Sequence, residues 1–316
     1  MSILYDKLKP YIKIARLDHY IKQLFILPGS AVAIVLCHTN LANISVFNFI
    51  LGFVSTCLIA SSNYVINEYL DAKFDKFHPI KKKRPLVQTS VQFKYIMLEW
   101  LLLAGLGLIG SICVSNILFY LNLLLAVMGI IYNVEPVRSK DIAYIDVLSE
   151  SFNMAIRLMI GWFLITSAYF PPISLLLGYW FAGAFLMAVK RFSEYKMIGN
   201  AELAGQYRKS FKYYTEETLN IQSLFYAMVS IFFTGIFLIK YRIELLLLIP
   251  FICVLYCYYF KLAFSKDSST QRPEKLFREK KLVLYLFFIG LLTLVLLFVK
   301  IPCLHFLLNN VLIEMR

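Results

Sequence analysis

Nine apolar runs, each long enough to cross a lipid bilayer, restrict this chain more than any other feature. They lie at roughly 23–40, 46–70, 95–114, 117–135, 143–166, 172–190, 220–239, 243–261 and 282–299. A membrane-spanning helix needs about 17–25 largely apolar residues. With 60% of 316 residues hydrophobic, including 27 Phe and 21 Tyr, a water-soluble fold could not hide this surface. The expected class is all-α: a polytopic membrane protein forming one unit over 1–316. The partner that this class implies is the membrane, not nucleic acid. The apolar tail 301–313 is short and reads as interfacial. No cleavable signal peptide is evident, and MSILYDKLKPYIKIARLDHYIKQ reads as a basic amphipathic lead-in.

The charges support nine crossings. Lysines and arginines number five up to Lys22, seven in 71–94, two in 136–141, six in 190–213 and seven in 261–281, or 27 of 32. The alternate connections and the C-terminal end hold only Lys240, Arg242, Lys300 and Arg316, and Arg157 lies inside a span. Positive charge stays on the cytoplasmic side of a membrane, so the N-terminus and the basic loops are expected in the cytoplasm. Six cysteines lie mostly in or beside spans, with no CxxC pair, so a zinc site is not expected.

The stretch NYVINEYLDAKFDKFHPIKKKRP, residues 63–85, breaks the apolar pattern. Asn67, Asp71 and Asp75 are spaced by four and share one helix face, because each step of four drifts only about 40°. Glu68, three before Asp71, joins that face. Carboxylates packed together repel unless a cation is present. Oxygen-only ligands suit Mg²⁺, which typically takes one or two carboxylates and fills its shell with water and substrate phosphates. The metal candidates are therefore Asn67, Glu68, Asp71 and Asp75, with Asn67, Asp71 and Asp75 also assigned to catalysis. A solvated helix end paired with Lys73 and Lys76 is the plainer alternative, and it explains Asp75 best.

Asn67-Glu68-x-x-Asp71-x-x-x-Asp75 resembles the NDxxDxxxD signature of the UbiA superfamily of intramembrane prenyltransferases, with Glu68 in place of the first Asp. Tyr132-Asn133-x-Glu135-Pro136-x-Arg138-x-Lys140 resembles the YSxxPxRxK segment of the same superfamily. The resemblance implies about nine transmembrane helices around a central cavity, with a cytoplasmic cap over the polar end.

The fifth span adds Asp146, Glu150, Asn153 and Arg157, a single polar stripe on an apolar helix. Such a stripe faces a bundle interior, either as a structural network or as the wall of a substrate cavity. The sixth span ends in Lys190-Arg191-Phe192-Ser193-Glu194-Tyr195-Lys196. Superfamily members commonly carry a second Asp-rich motif at this place, whereas here Glu194 is the sole acid. A basic site there would grip phosphate directly.

Arg16-x-x-x-Tyr20-x-Lys22-Gln23, His78-Pro79-x-Lys81-Lys82-x-Arg84-Pro85 and Lys190-Arg191-x-x-Glu194 resemble the decaprenyl-phosphate phosphoribosyltransferase branch. That resemblance implies transfer of 5-phosphoribose from phosphoribosyl diphosphate to a polyprenyl phosphate. Lys22, Arg84, Arg138, Lys140, Lys190 and Arg191 are the candidates for binding phosphate oxygens. Lys82 belongs to a basic rim, or only to the topology signal, and Tyr132 belongs to the cavity wall. Two other readings stay open. One is prenyl transfer from a polyprenyl diphosphate to an aromatic or other small acceptor. The other is a lipid-phosphate or cation transporter, though no internal repeat is evident. The expected setting is a bacterial inner membrane.

Overall fold

The computed structural model describes residues 10–88, 91–265, 268–271, 276 and 279–304. The interfacial tail expected at 301–313 therefore lies outside the described residues from 305 onward. Nine long helices lie among the described residues. They are α1 (Pro10–Leu36), α2 (Val46–Asp75), α3 (Phe93–Val114), α4 (Asn116–Asn133), α5 (Ile145–Phe163), α6 (Ile173–Ile198), α7 (Glu216–Tyr241), α8 (Ile243–Leu262) and α9 (Lys280–Phe298). Eight of them are apolar enough to cross a membrane by length and composition. The exception is α5, 19 residues long, whose Asp146, Glu150 and Arg157 lower its apolarity.

Helix ends follow local chemistry. Ser45 caps α2 by accepting from Asn48 N at 3.2 Å, and Ser115 separates α3 from α4 by accepting from Leu118 N at 3.1 Å. Gly199, at φ 66°, ends α6 in the left-handed conformation that glycine adopts without strain. Apolarity underestimates three helices. Sequence marks only the part that crosses hydrocarbon, whereas α2 and α6 run on to Asp75 and Ile198, and α1 begins at Pro10 and includes a 3₁₀ stretch over Leu17–Ile26. At 1.5 Å per residue, the 30 residues of α2 reach about 45 Å against a hydrocarbon core of about 30 Å. Its acidic turns thus stand at the polar edge of the bundle.

Neighbouring helices pack in sequence from α2 to α9, with α2 also against α4, while α1 lies on α5. The α1–α5 contact is made by glycine. A Cβ on Gly29 would stand 2.0 Å from Leu158 O, and one on Gly161 would stand 1.9 Å from Ile26 O. Ser30 Oγ donates to Gly161 O at 2.8 Å across the same crossing. This approach sets Gln23 beside Arg157, whose Nε donates to Gln23 Oε1 at 2.8 Å.

Gly161→Leu is therefore expected to destabilise the bundle by about 1–3 kcal/mol through overpacking. Gly235→Ala on α7, where an added Cβ meets nothing within 4 Å, should be neutral or mildly stabilising. Thermal unfolding in detergent checks both, and equal midpoints would refute the glycine contact.

Candidate functional site

The acidic turns of α2 are each met by a cation. Glu68 accepts from Arg16 Nε and a terminal nitrogen at 2.9 and 2.8 Å. Asp71 accepts from Arg138 at 3.0 Å and from Lys140 Nζ at 2.5 Å. Asp75 pairs with Arg84. Asn67 donates to Asp71 at 3.1 Å and to Asn133 Oδ1 at 2.6 Å, and Lys140 donates to that same oxygen at 2.7 Å. Arg16 and Arg138 both have positive φ, 50° and 30°, a conformation uncommon outside glycine and characteristic of strained functional positions. Burial pushes the Lys140 ammonium down to about 8, against the opposing pull of Asp71.

A second network joins α4, α5 and α6. Arg191, 1% exposed, donates to Asp146 at 3.2 Å, Glu194 at 3.3 Å and the Tyr132 hydroxyl at 3.0 Å, and it also pairs with Glu150. Tyr132 in turn donates to Glu150 at 2.8 Å. The segment after α6 closes over this network: Tyr214 and Ser210 donate to Asp146 at 2.8 and 3.2 Å, and Arg208 reaches the Tyr132 hydroxyl at 3.2 Å. Glu194 also accepts from Lys81 at 2.8 Å.

Three cavities meet between these networks. A vestibule of about 500 Å³ is lined by Lys13, Arg16, Lys22, Lys81, Lys83, Arg84 and Lys190, with Asp18, His19 and Glu68. A central cavity of about 180 Å³ has a mixed lining: Tyr64, Asn67, Tyr132, Asn133, Glu150, Asn153 and Arg157 with Lys22 and Lys190, and apolar side chains such as Phe25, Leu125, Met154 and Leu186. A cleft of about 700 Å³ between α1, α6, α8 and α9 is lined by Leu24, Phe25, Phe185, Leu186, Tyr259 and Phe287 among others, and Lys22 stands at its edge. Lys22 thus borders all three spaces, and Lys190 borders the vestibule and the central cavity.

The model of the UbiA prenyltransferase family matches residues 26–292. The chain belongs to this family. Among curated proteins it is similar to decaprenyl-phosphate phosphoribosyltransferase of Mycolicibacterium smegmatis, at 30% identity over 185 residues, 53% of this chain and 51% of the relative. It is also similar to 4-hydroxybenzoate octaprenyltransferase of Shewanella frigidimarina, at 32% over 132 residues, 42% of this chain and 44% of the relative. The chain spans about half the length of the curated relatives it matches. A UbiA homologue from Archaeoglobus fulgidus, bound to GPP and Mg²⁺, superposes with a TM-score of 0.68 at 18% identity, over 89% of this chain and 99% of that one. The apo UbiA homologue from Aeropyrum pernix K1 gives 0.63 at 13%, over 89% and 98%. At these identities the likeness is one of fold.

This UbiA-family chain distributes its sequence-predicted residues unevenly. Asn67, Glu150, Asn153, Arg157, Tyr132, Lys22 and Lys190 converge on the central cavity. Glu68 turns to the vestibule with Arg84. Asp71, Arg138 and Lys140 form a separate small pocket with Arg208. Asp146 and Arg191 are enclosed in the second network, and Lys82 is exposed. Among the described residues, no three of His, Cys, Asp and Glu come together as a metal cluster. The donors nonetheless suit Mg²⁺: they are oxygens, Asn67 and Asp71 touch, and Glu68 Oε1 is buried without a partner. Asn67, Glu68 and Asp71 would hold the ion only if drawn together, because here they open onto three different spaces and both Asp71 oxygens are already bonded.

Arg208 and His19 escaped sequence reasoning, as did the partners of His78, which the sequence places only in the basic loop motif. Arg208 was one positive charge among many in its loop. His19 had no visible partner, yet its Nδ1 lies 3.0 Å from Lys22 Nζ and its ring packs edge-on to Tyr64 at 5.2 Å. His78 is 2% exposed, and its Nδ1 accepts from the backbone N–H of Ile80 and Lys81, both at 3.1 Å. Burial, then the neighbouring Lys81 charge, depresses its pKa from 6.5 to about 3.

Two predictions follow from this wiring. Arg191→Met removes the one guanidinium shared by three buried carboxylates, leaving them only their outer partners, and is expected to cost about 3–5 kcal/mol, whereas Lys82→Gln should cost nothing measurable. Yield and melting temperature of the two purified variants test this. For His78, the unfolded chain takes up a proton before the folded one does. Stability is thus complete above pH 6.5 and is lost as pH falls toward 3. His78→Asn should flatten the melting temperature's decline below pH 6.5, and an unchanged slope would exclude His78 as its source.

Proposed function

We propose that this UbiA-family chain is a Mg²⁺-dependent membrane transferase that cleaves a diphosphate donor to make a polyprenyl-linked product. The preferred reaction is transfer of phosphoribose from phosphoribosyl diphosphate to a polyprenyl phosphate. The observation that carries this reading is the meeting of a cationic vestibule, a central cavity of mixed lining and an apolar cleft at Lys22, with Lys190 bordering the vestibule and the central cavity. A lipid phosphate at that junction would leave its chain in the apolar cleft and its head facing the polar side chains of the central cavity. The end of α6 supports the choice of donor, because its one acid, Glu194, is already held by Lys81 and Arg191. A second acid-bound metal for a prenyl diphosphate thus lacks a ligand set there, while Lys190 lines the cavity. The phosphoribosyltransferase relative points the same way.

In this reading the vestibule lysines and arginines draw in and orient the phosphorylated donor. Mg²⁺, when bound, polarises the diphosphate and eases its departure. Asn67, Glu68 and Asp71 orient that diphosphate, with Lys140 and Arg138 steadying Asp71. The C1–O bond to diphosphate breaks while a phosphate oxygen of the lipid bonds to C1, and Lys22 and Lys190 hold that nucleophile in place. The alternation of basic loops supports an orientation with these ends cytoplasmic, in what we read as a bacterial inner membrane. A second reading, prenyl transfer from a polyprenyl diphosphate to an aromatic acceptor, is favoured by the octaprenyltransferase relative.

Purified protein with Mg²⁺ is given either phosphoribosyl diphosphate and polyprenyl phosphate, or polyprenyl diphosphate and aromatic acceptors, and the lipids are read by mass spectrometry. A phosphoribosylated lipid is expected, falling at least about 100-fold in Asp71→Asn. A prenylated acceptor instead would establish the second reading. No product from either pair would favour a transporter.

A further inference from the structure

The central cavity runs inward to Arg157 on α5. Arg157 lies two turns beyond Glu150, about 10 Å deeper along the helix. Its Nε donates to Gln23 Oε1 at 2.8 Å, and one terminal nitrogen donates to the Asn153 carbonyl at 3.1 Å. Both acceptors are neutral. Among the described residues no carboxylate stands within ion-pair distance of this guanidinium; Glu150, the acid of the same cavity, is taken by Arg191 with Lys190 3.8 Å away. The second terminal nitrogen of Arg157 and the hydroxyl of Tyr64 carry no hydrogen bond among the described residues, and neither side-chain atom of Asn153 does, its Oδ1 being buried without a partner, so that a flip of this amide turns its N–H to the cavity; all three residues line the cavity.

A cation this deep in a membrane protein is costly without a counter-charge. Three unused donors beside it would stay unsatisfied against a hydrocarbon chain. The lipid tail has the apolar cleft instead. We infer that the inner end of the central cavity, built by Arg157, Asn153 and Tyr64, is an oxyanion site for the far end of the small, non-lipid substrate. Gln23 is a positioning residue that fixes the guanidinium plane. The inference rests on the reading that the small substrate enters this cavity. The oxyanion is the 5-phosphate of a phosphorylated pentose or the carboxylate of an aromatic acid. Held there, the molecule presents its opposite, reacting end to Asn67 and to the junction at Lys22 and Lys190.

The test combines binding and turnover. Melting temperature in detergent is measured with ribose 5-phosphate against ribose, and with 4-hydroxybenzoate against 4-hydroxybenzyl alcohol. Wild-type protein should be stabilised by one anion and not by its neutral counterpart, and the anion that works names the source. Arg157→Met should abolish that discrimination and raise KM for the matching substrate at least tenfold, with a smaller change in kcat. Arg157→Lys should recover most of the affinity. If Arg157→Met does not fold, Asn153→Leu removes one donor and leaves the cation in place, and a severalfold rise in KM is expected. Equal stabilisation by anion and neutral partner, or a wild-type KM in the variants, would overturn the inference. The wild-type product tests the functional reading separately. A phosphoribosylated lipid with KM unchanged in the variants sinks only the oxyanion site. Anion discrimination without any product sinks only the proposed reaction.

Discussion

The polar end of the bundle depends on the guanidinium of Arg191. It holds Asp146 and Glu150 of α5, Glu194 of its own helix and the hydroxyl of Tyr132 on α4. Three carboxylates against one guanidinium would leave excess negative charge in a low-dielectric interior. Lys81 on Glu194, Lys190 near Glu150 and Arg208 near Asp146 share that charge. The connection after α2, the cap after α6 and three helix ends are thereby drawn to one point. A buried network of this kind specifies one arrangement only when every member is satisfied.

Around that point the chain sorts space by polarity. Long helices carry acids and amides past the hydrocarbon edge, where the vestibule cations face them. The cleft between α1 and α9 stays apolar, as a hydrocarbon chain requires. Lys22 stands where the two environments meet, and a lysine there can keep its stem in apolar surroundings and its ammonium toward phosphate. The glycine crossing of α1 and α5 matters to this sorting, because it brings Lys22 and Gln23 onto the wall that carries Arg157.

Much of the site was legible. The spacing of Asn67 and Asp71 placed them on one face, and the two residues touch. The stripe through Glu150, Asn153 and Arg157 faced the interior, as a polar stripe on an apolar helix must. Glu68 and Asp75 were legible as acids but not by destination, since their partners Arg16 and Arg84 are chosen by helix packing. Arg191 read as a free cation beside Lys190. The structure gives Arg191 to carboxylates and leaves Lys190 on the cavity, because adjacent helix positions point about 100° apart. The partners of His19 and His78 come from turns and a 3₁₀ stretch that hydropathy does not register.

The sequence by itself determined that the chain is a bundle of membrane-length helices, which of them carry polar faces, and at which end the charges gather. These follow from apolar length, residue spacing and the cost of burying unpaired backbone in lipid, all local properties. Tertiary structure alone decided which charges cancel one another and which remain for a ligand. Ion pairing depends on separations of a few ångströms between residues as much as 113 apart in the chain, and only the packing of the helices sets those distances.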